Sequence, residues 1–567
     1  KQTLASGVLS SLHPGGEVLQ PVLGGVVVGR VSGDSIQRTR FLISKEFMTC
    51  AAYATDQKLV IGGSDQGNVF VWNPEKSSPI ARIPCGFGEV KKLIVSNDKL
   101  YVLRADMRLA VVDLATRQLS LTAQFQRQES EAHVSWFTPE GYYWVGRDQV
   151  RRYHFVRGLE AFALSSFEVR LNRPDIILSR TGFSTPELIT GFHEAYQKRL
   201  ARYPAFSKNE DWSTRLPSVT IEGKSNFPQV TRNVEFDLNV VARSNGSRLK
   251  TIFIYVNGNP VNGQQGLATG AVNEFRTHVR LKLSTGTNTI RVVAEDETGL
   301  ESFPESHEVE LQREYTPRIY FVGVGVSKYQ DTTMNLRYAD VDVRRMAEYF
   351  SWRFKDRVMI DTLLNEHVTA DNLVALKKRL AQTNEDDYVI VAFSGHGVLN
   401  KKMDFYFATH DIDFGQPEKG GFSYAQMEAL TDNLPARRKL MLIDACHGGE
   451  VDRDAPTVRA GESLAPSIQV YQSRGAEAEV EAQHTSSFRL MQGLFSDVKQ
   501  SNGTFVISAS SGDEFAFESP EWRGGVFTYS FLHTLDELYD ETRGKPTFQV
   551  STLRNRVYDM VIGLTQN

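Results

Sequence analysis

Three patterns of apolar and polar residues follow one another along the 567-residue chain. Residues 1–157 contain short apolar runs joined in pairs by turn residues, as in 59–73, which predicts β-hairpins. Residues 216–314 alternate apolar and polar positions in short runs, as in 234–240, which is typical of half-buried strands. From residue 316, strand-length apolar runs alternate with segments of 3.6-residue periodicity, the pattern of an α/β domain. The chain is therefore predicted to be multidomain, with β-rich regions ahead of one α/β region.

The hairpin pattern in residues 1–157 recurs at a fixed spacing. The equivalent positions Trp72, Asp113 and Tyr153 lie 41 and 40 residues apart. A period of about 40–45 residues is typical of WD40-type β-propellers, so about four propeller blades are expected here. Either the propeller is small or blades are missing at its amino end. An unrelated β-sandwich of hairpins is the alternative.

The next two regions are predicted to be a connector and a β-sandwich. Residues 158–215 change character and contain one helical pattern, over 186–203. Strands separated by turn signals over residues 216–314 indicate an immunoglobulin-like β-sandwich. This region contains no cysteine pair, which excludes an antibody-type disulfide.

Two apolar runs in residues 316–567 end in glycine-rich motifs. Residues 387–393 lead into Ser394-Gly395-His396-Gly397, and residues 439–443 lead into Asp444-Ala445-Cys446-His447-Gly448-Gly449. Each run is predicted as a buried parallel strand that a glycine turn ends. Parallel sheets present their chemistry at the carboxyl ends of their strands, so His396 and Cys446 are expected to meet above one mostly parallel sheet. The other elements predicted in this region are strands over 319–326, 358–362 and 504–508 and helices over 336–352, 369–380, 423–430 and 527–539.

A histidine beside a cysteine suits nucleophilic catalysis. A neutral thiol is a poor nucleophile, and an imidazole can accept its proton. The backbone amides near Gly397 and Cys446 are candidate donors to an oxyanion, which predicts acyl transfer and hence peptide hydrolysis. His447 is a rival base by adjacency, although on a strand its side chain should point away from that of Cys446. No CxxC or HxxxH spacing accompanies these residues, so no metal site is predicted.

These motifs resemble those of the caspase-like cysteine peptidases, closest to the metacaspase and paracaspase branch with its orthocaspase-type members. The resemblance covers residues 316–567 and rests on both glycine-rich motifs, on the late segment from Ser508 to Thr528, and on the opening segment from Val322 to Tyr329. The order of propeller, sandwich and α/β domain resembles that of large bacterial WD40–caspase proteins. The resemblance implies an endopeptidase in which His396 is the base and Cys446 the nucleophile.

The charge of the predicted substrate pocket points to basic substrates. Animal caspases, which cut after aspartate, have glutamine two places before the cysteine, whereas this chain has Asp444. A carboxylate there favours arginine or lysine, and paired carboxylates favour the guanidinium fork of arginine. By resemblance the pocket also uses Ser394 and an acid on the first helix, which spacing from Leu336 assigns to Asp342, with Asp340 as the competitor.

A third pocket acid is expected from the late segment, at Asp513 or Glu514. Arg523 would oppose an acidic pocket if its side chain pointed inward. Residues 450–500 are predicted to be a long exposed activation loop. An enzyme that cuts after arginine could cleave its own loop at Arg459 or Arg474, as in a zymogen.

Calcium is a candidate cofactor by resemblance, although none is predicted to be required. Asp404, Asp411 and Asp413 offer oxygen ligands in a loop. These residues lack EF-hand spacing, and a solvated acidic loop is the favoured explanation of them.

The bulk composition bears on partners and location. The net charge of −4 and the absence of a long apolar run argue against nucleic-acid and membrane binding. Three cysteines are too few for a disulfide framework, so a reducing, cytoplasmic setting is expected. The expected partners are protein substrates and a regulatory protein bound by the propeller. A catalytically silent scaffold and a different cysteine hydrolase on a related fold are the rival hypotheses.

Overall fold

The chain divides into two compact units in a computed structural model. Unit 1 comprises Lys1–Arg157 with Glu168–Gln197, and unit 2 comprises Gly158–Phe167 with Lys198–Asn567. The predicted connector, residues 158–215, is therefore shared between both units. The structure describes residues 11–12, 16–32, 35–128, 131–146, 149–157, 160–203, 215–400, 404–447, 469–470, 502–508, 517–519, 522, 524–541 and 549–565.

Unit 1 contains two six-stranded antiparallel meanders. The first consists of β1 (Ser11–Leu12), β2 (Glu17–Ser32), β3 (Ser35–Ala54), β4 (Leu59–Ser64), β5 (Asn68–Trp72) and β6 (Ala81–Pro84). The second consists of β7 (Val90–Ser96), β8 (Lys99–Arg104), β9 (Arg108–Asp113), β10 (Gln118–Gln128), β11 (Glu131–Phe137) and β12 (Tyr143–Trp144). The remaining elements of this unit are β13 (His154–Arg157), α1 (Glu168–Leu171), α2 (Pro174–Thr181) and most of α3 (Pro186–Ala201).

Two of the three predicted hairpin repeats are confirmed. Strand β4 pairs with β5, and β8 pairs with β9, both antiparallel. The third repeat is wrong as a hairpin, because Tyr143–Trp144 forms only a two-residue strand and Val150–Arg152 forms a 3₁₀ turn. The propeller itself stays a prediction.

Two sheets share one apolar core in residues 216–314 of unit 2. One sheet has the order β15-β17-β21, and the other has the order β16-β23-β22-β18-β19 with β20 paired to β18. Alternate residues of β17, among them Leu238 and Val240, are buried in this core, which is why the alternating pattern predicts these strands correctly. The immunoglobulin-like assignment stays a prediction, and we call this region the sandwich. The strands are β14 (Glu160–Ala163), which precedes the sandwich, and β15 (Ser218–Glu222), β16 (Val230–Thr231), β17 (Glu235–Arg243), β18 (Leu249–Val256), β19 (Asn259–Pro260), β20 (Leu267–Ala268), β21 (Glu274–Lys282), β22 (Gly286–Asp296) and β23 (Glu305–Leu311).

The α/β domain is built on a mixed seven-stranded sheet. Five strands, in the order β25-β24-β26-β29-β31, run parallel, and β27 and β28 add an antiparallel hairpin beside the end of β26. The elements are β24 (Ile319–Gly325), α4 (Ala339–Phe354), β25 (Val358–Leu364), α5 (Ala370–Leu380), β26 (Tyr388–Leu399), β27 (Phe405–Phe407), β28 (Phe422–Ser423), α6 (Tyr424–Thr431), β29 (Arg438–His447), β30 (Gln469–Val470), β31 (Thr504–Ser508), β32 (Phe517–Ser519), β33 (Gly524–Gly525), α7 (Val526–Glu541) and α8 (Val550–Thr565).

Helices cover both faces of this sheet. The apolar side of α4 presents Val343, Met346 and Phe350, which are buried in one cluster with Ala392 and Leu442 of the sheet. Val391 and Met441 belong to the cluster on the opposite face. In the middle of β26 and β29, Ala392 and Leu442 therefore face α4 and α7, whereas Val391 and Met441 face the opposite side of the sheet.

The sandwich and the α/β domain touch through buried polar groups. The Asp386 carboxylate, only 3% exposed, accepts hydrogen bonds from the Thr285 backbone N–H at 2.9 Å and from its hydroxyl at 2.8 Å. The Arg437 guanidinium donates to the Ser284 hydroxyl at 2.6 Å and to the Lys282 carbonyl. These contacts fix the sandwich to the amino ends of β26 and β29, away from the strand ends that carry the candidate site.

Candidate active site

The two glycine-rich motifs lie on adjacent parallel strands and are in register. His396 on β26 pairs with Cys446 on β29, and two residues earlier Ser394 pairs with Asp444. The predicted meeting of the two strand ends is thus a direct backbone pairing. Cys446 is described only in its backbone, so the distance from its thiol to His396 stays a prediction.

The glycines beside His396 do not form the expected turn. Strand β26 continues through Gly395 and Gly397 to Leu399, and β29 continues to His447. Glycine is required for close packing instead, because a Cβ on Gly397 would lie 2.5 Å from Phe405 Cε2. The antiparallel pairing of β26 with β27 brings this phenylalanine against the strand, since Gly397 pairs with Phe407.

The imidazole of His396 is held from one side by a loop after β24. Its Nε2 lies 2.8 Å from the carbonyl oxygen of Met334, in a 3₁₀ turn over Thr332–Met334. A carbonyl can only accept, so Nε2 carries the proton and Nδ1 is the unprotonated nitrogen of the neutral ring. Phe414 stands edge-on to the ring, with centroids 5.9 Å apart. Nδ1 is therefore the atom that can accept a proton.

Burial lowers the pKa of His396 below its ordinary value of 6.5, because the charged imidazolium loses its hydration, while the bond to Met334 opposes this shift. The neutral, proton-accepting form is accordingly favoured near pH 7. This is the protonation state that a general base needs.

Two of the predicted pocket acids converge on Gly525. The Asp342 carboxylate, 2% exposed, accepts a hydrogen bond from the Gly525 N–H with oxygens at 3.1 and 3.0 Å. A Cβ on Gly525 would lie 3.0 Å from Asp342 Oδ2 and 3.2 Å from Asp444 Oδ2. The two carboxylates thus border the same point in space. Ser394, whose side chain is buried, pairs with Asp444 across the two strands.

The competing acid on α4 is engaged elsewhere. Asp340 accepts hydrogen bonds from Ser327 at 2.6 Å and from Asn365 at 3.2 Å, and it pairs with Arg344. These contacts lower its pKa, against the effect of burial, and tie α4 to the end of β24. The geometry therefore places Asp342, not Asp340, beside Asp444.

Several predicted site residues lie outside the described part of the chain. These are Asp513, Glu514 and Arg523 of the late segment, and Arg459 and Arg474 of the predicted activation loop. The side chain of the rival base His447 is likewise not described.

The acids considered for calcium have protein partners. Asp404 pairs with Lys198 at 2.6 Å, Asp411 accepts from the Thr409 hydroxyl, and Asp413 caps the backbone N–H groups of Gly415 and Gln416. Within the described ranges, no group of three or more His, Cys, Asp or Glu side chains is arranged to hold a metal ion.

Sequence reasoning missed Met334 and Gly525. Met334 contributes a backbone carbonyl, which any residue type supplies, so the identity of the residue does not reveal this contact. Gly525 follows Gly524 directly before a helix, and such a doublet signals a close backbone approach. That signal was available.

Comparisons with known proteins give one match to a family model. Residues 322–562 match the family model of the caspase domain. No curated protein matches the chain. Among the described helices, none is long and apolar enough to cross a membrane.

Similar solved structures were also found, but the likeness is weak. The computationally designed Ika4 protein is 16% identical at a TM-score of 0.19, over 25% of this chain and 92% of that one. Protein GSU0716 from Geobacter sulfurreducens is 15% identical at a TM-score of 0.26, over 42% and 88% of the two chains. A chain of the mitotic checkpoint complex is 14% identical at 0.19, over 24% and 47%. Scores this low carry no argument about fold or function.

Proposed function

We propose, on the premise that residues 322–562 form a caspase domain, that this chain is a cysteine endopeptidase that cleaves protein substrates after basic residues, arginine in preference to lysine. The observation that carries the proposal is the register of β26 and β29, which pairs His396 with Cys446 and Ser394 with Asp444. One pair of strand ends then supplies the reacting groups and part of the pocket.

The proposed reaction follows from the roles of these groups. Nδ1 of His396 accepts the thiol proton of Cys446, and the thiolate attacks the carbonyl carbon of the scissile peptide. The carbonyl electron pair moves to oxygen, where the backbone N–H groups of Gly397 and Cys446 are the candidate donors. As the C–N bond breaks, the imidazolium gives its proton to the leaving amine, and a thioester forms on Cys446. Water, deprotonated by His396, then hydrolyses the thioester and restores the thiol.

Basic specificity is proposed from the carboxylates of Asp342 and Asp444 around Gly525. Two neighbouring carboxylates, one buried and one partly buried, can accept the two parallel N–H bonds of a guanidinium, whereas the ammonium of lysine lacks this planar fork. An aspartate side chain would be repelled there.

The test is cleavage of fluorogenic peptides that differ only in Arg, Lys or Asp at the cleaved position, with and without calcium. We expect Arg to exceed Lys, no cleavage after Asp, and complete loss in Cys446→Ala. Cys85→Ala is the matched control, because this cysteine is buried and burial raises the pKa of its thiol to about 12. Preference for Asp would contradict the pocket assignment, and no cleavage of any peptide would favour the silent scaffold.

The pocket acids need their own variants. Asp444→Asn is expected to lower kcat/KM for the Arg peptide about 100-fold, since removing one partner of a buried charge pair costs roughly 3 kcal/mol. Asp361→Asn is the control, because this carboxylate lies on the edge strand β25 and pairs with Arg379 at 2.7 Å. An equal loss in both variants would mean that charge in general, not the pocket, is responsible.

Regulation belongs to the same proposal. An enzyme of this specificity would cut at Arg459 or Arg474 within residues 450–500. A regulatory protein bound by unit 1 would control the activity of the intact chain. An Arg459→Gln/Arg474→Gln double variant should stay uncut during incubation and show lower activity than the wild-type chain. Full activity of the uncut chain would remove loop cleavage from the proposal.

A further inference from the structure

The loop between β24 and α4 is closed on itself and tied to its neighbours. We call residues 327–336 the Tyr329 loop. The N–H of Leu336 donates to the carbonyl of Ser327 at 2.9 Å, and the N–H of Tyr329 donates to Asn335 Oδ1 at 2.8 Å. Asn365 Oδ1 accepts from the backbone N–H groups of Ser327 and Lys328, at 2.9 and 3.0 Å. These bonds fix the position of whatever the loop presents to β26.

The loop holds His396 at two points. The Met334 carbonyl accepts from the imidazole, and the Tyr329 hydroxyl accepts from the backbone N–H of His396 at 2.9 Å. The Tyr329 ring also lies against the imidazole, with ring centroids 5.2 Å apart and planes tilted by 35°. Tyr329 is buried, at 3% exposure. A Cβ on Gly395 would lie 3.0 Å from its hydroxyl oxygen, so glycine at this position leaves room for the phenol.

We infer that Tyr329 is a positioning residue for the catalytic base. Its hydroxyl fixes the main chain of His396, and its ring supports one side of the imidazole. The Met334 carbonyl can then select one tautomer, with the proton on Nε2 and Nδ1 free to accept. The catalytic meaning of this inference rests on the proposed function, but the tautomer of the His396 ring can be measured whether or not the chain is active.

The hydroxyl and the ring of Tyr329 can be separated by substitution. Tyr329→Phe keeps the ring and removes the acceptor of a buried backbone N–H, whereas Tyr329→Leu removes both. Tyr320→Phe is the matched control, since this partly buried tyrosine lies on β24 and loses the same single oxygen. If Tyr329 were needed only for packing, Tyr329→Phe and this control would show the same His396 tautomer and the same kcat.

The decisive readout is ¹⁵N NMR of the histidine side chains in the full chain bearing Cys446→Ala, with His396→Asn to assign the signal. We expect the wild-type ring above its pKa to show one tautomer, protonated at Nε2, and slow exchange of the His396 amide proton. In Tyr329→Phe we expect mixed tautomers and amide exchange at least tenfold faster. A single unchanged tautomer in Tyr329→Phe would overturn the inference. Mixed tautomers of His396 in the chain with intact Tyr329 would also overturn it, and this second test does not require the variant to fold.

Kinetics on the chain with intact Cys446 provide the second readout. Tyr329→Phe should lower kcat about tenfold with KM within twofold, and Tyr329→Leu should lower kcat further. A change in KM alone would contradict positioning of the base. If no peptide is cleaved by the wild type, the proposed function fails, while the NMR result still decides the role of Tyr329.

Discussion

At the scale of single residues, the lowered pKa of the half-buried His396 predicts how the stability of the fold depends on pH. Between the lowered pKa of the folded chain and the ordinary value of 6.5, the unfolded chain binds more protons than the folded one. The free energy of unfolding therefore decreases as pH falls through 6.5 and levels off below the folded pKa. We expect His396→Gln to show a smaller decrease, measured by urea unfolding from pH 7.5 to pH 5.

The control for this titration is His533→Gln, which removes a half-exposed histidine from α7. This variant should retain the wild-type decrease. An identical pH dependence in His396→Gln and the wild type would show that His396 keeps its ordinary pKa in the folded chain.

Gly525 is the residue through which the pocket can be closed without removing a charge. Gly525→Ala would place a methyl group 3.0 and 3.2 Å from the oxygens of Asp342 and Asp444. We expect kcat/KM for the Arg peptide to fall at least tenfold, mainly through KM, because the methyl group would occupy the space beside the carboxylates that the guanidinium needs. In Gly563→Ala, the added Cβ meets nothing within 4 Å, so activity should be unchanged. Equal activity of the two variants would contradict the pocket.

Sequence reasoning placed the paired positions of the site because strand ends follow from apolar runs. Ser394 and Asp444 lie one residue past such a run, His396 and Cys446 lie three residues past it, and parallel pairing then aligns them. The turn predicted at Gly395 was wrong because glycine serves close packing as well as turns, and the single letter does not distinguish these uses. Contacts made by a main-chain carbonyl, as at Met334, leave no residue preference to detect.

At the scale of elements, the sequence predicted where two helices of the α/β domain begin. Thr369 and Ser423 accept from backbone N–H groups at the starts of α5 and α6, where the sequence predicts both helices to begin. Helix α8 was missed, although Leu553, Val557 and Val561 are buried at a spacing of four. The two-stranded extension β27–β28 was also missed, because strands of two or three residues have too few positions to show alternation.

The second residue of strand β29 is a buried lysine that should make the stability of the fold depend on alkaline pH. Lys439 is 4% exposed, and its ammonium donates to the carbonyls of Asn502 and Thr431. Burial lowers its pKa from 10.5 to about 8, with Asp432 opposing this shift and Lys377 and Arg437 adding to it. Between pH 8 and 10.5 the unfolded chain binds more protons, so this residue makes the free energy of unfolding rise with pH.

The prediction is tested with Lys439→Met, which fills the same space without a titrating group. Relative to this variant, the wild type should gain stability from pH 7 to pH 10.5, by about 3 kcal/mol at most for a shift of this size. Urea unfolding at both pH values measures the difference. A constant difference between the two proteins would mean that Lys439 keeps an ordinary pKa.

At the scale of the whole molecule, sequence reasoning separated the sandwich from the α/β domain, whereas both belong to one compact unit. The boundary near residue 315 is a real change of pattern, from alternating strands to alternating strands and helices. The pattern carries no information on polar contacts between distant segments, such as Thr285 with Asp386, because these residue types are ordinary in exposed turns. The buried polar contacts between the sandwich and the α/β domain therefore support the packing of both regions within this unit.

Asp386 is the residue with which this support can be tested. Asp386→Ala leaves the N–H of Thr285 without its buried acceptor, which costs about 2 kcal/mol locally and should speed exchange of the Thr285 amide proton about 30-fold. Asp237→Ala is the matched control, because it removes a carboxylate from an exposed ion pair with Arg280 on the outer face of the sandwich. Exposed pairs contribute little, so exchange at Thr285 should be unchanged there. Hydrogen exchange followed by mass spectrometry over residues 282–290 measures both variants, and slow exchange in Asp386→Ala would mean that the apolar core of the sandwich alone protects this turn.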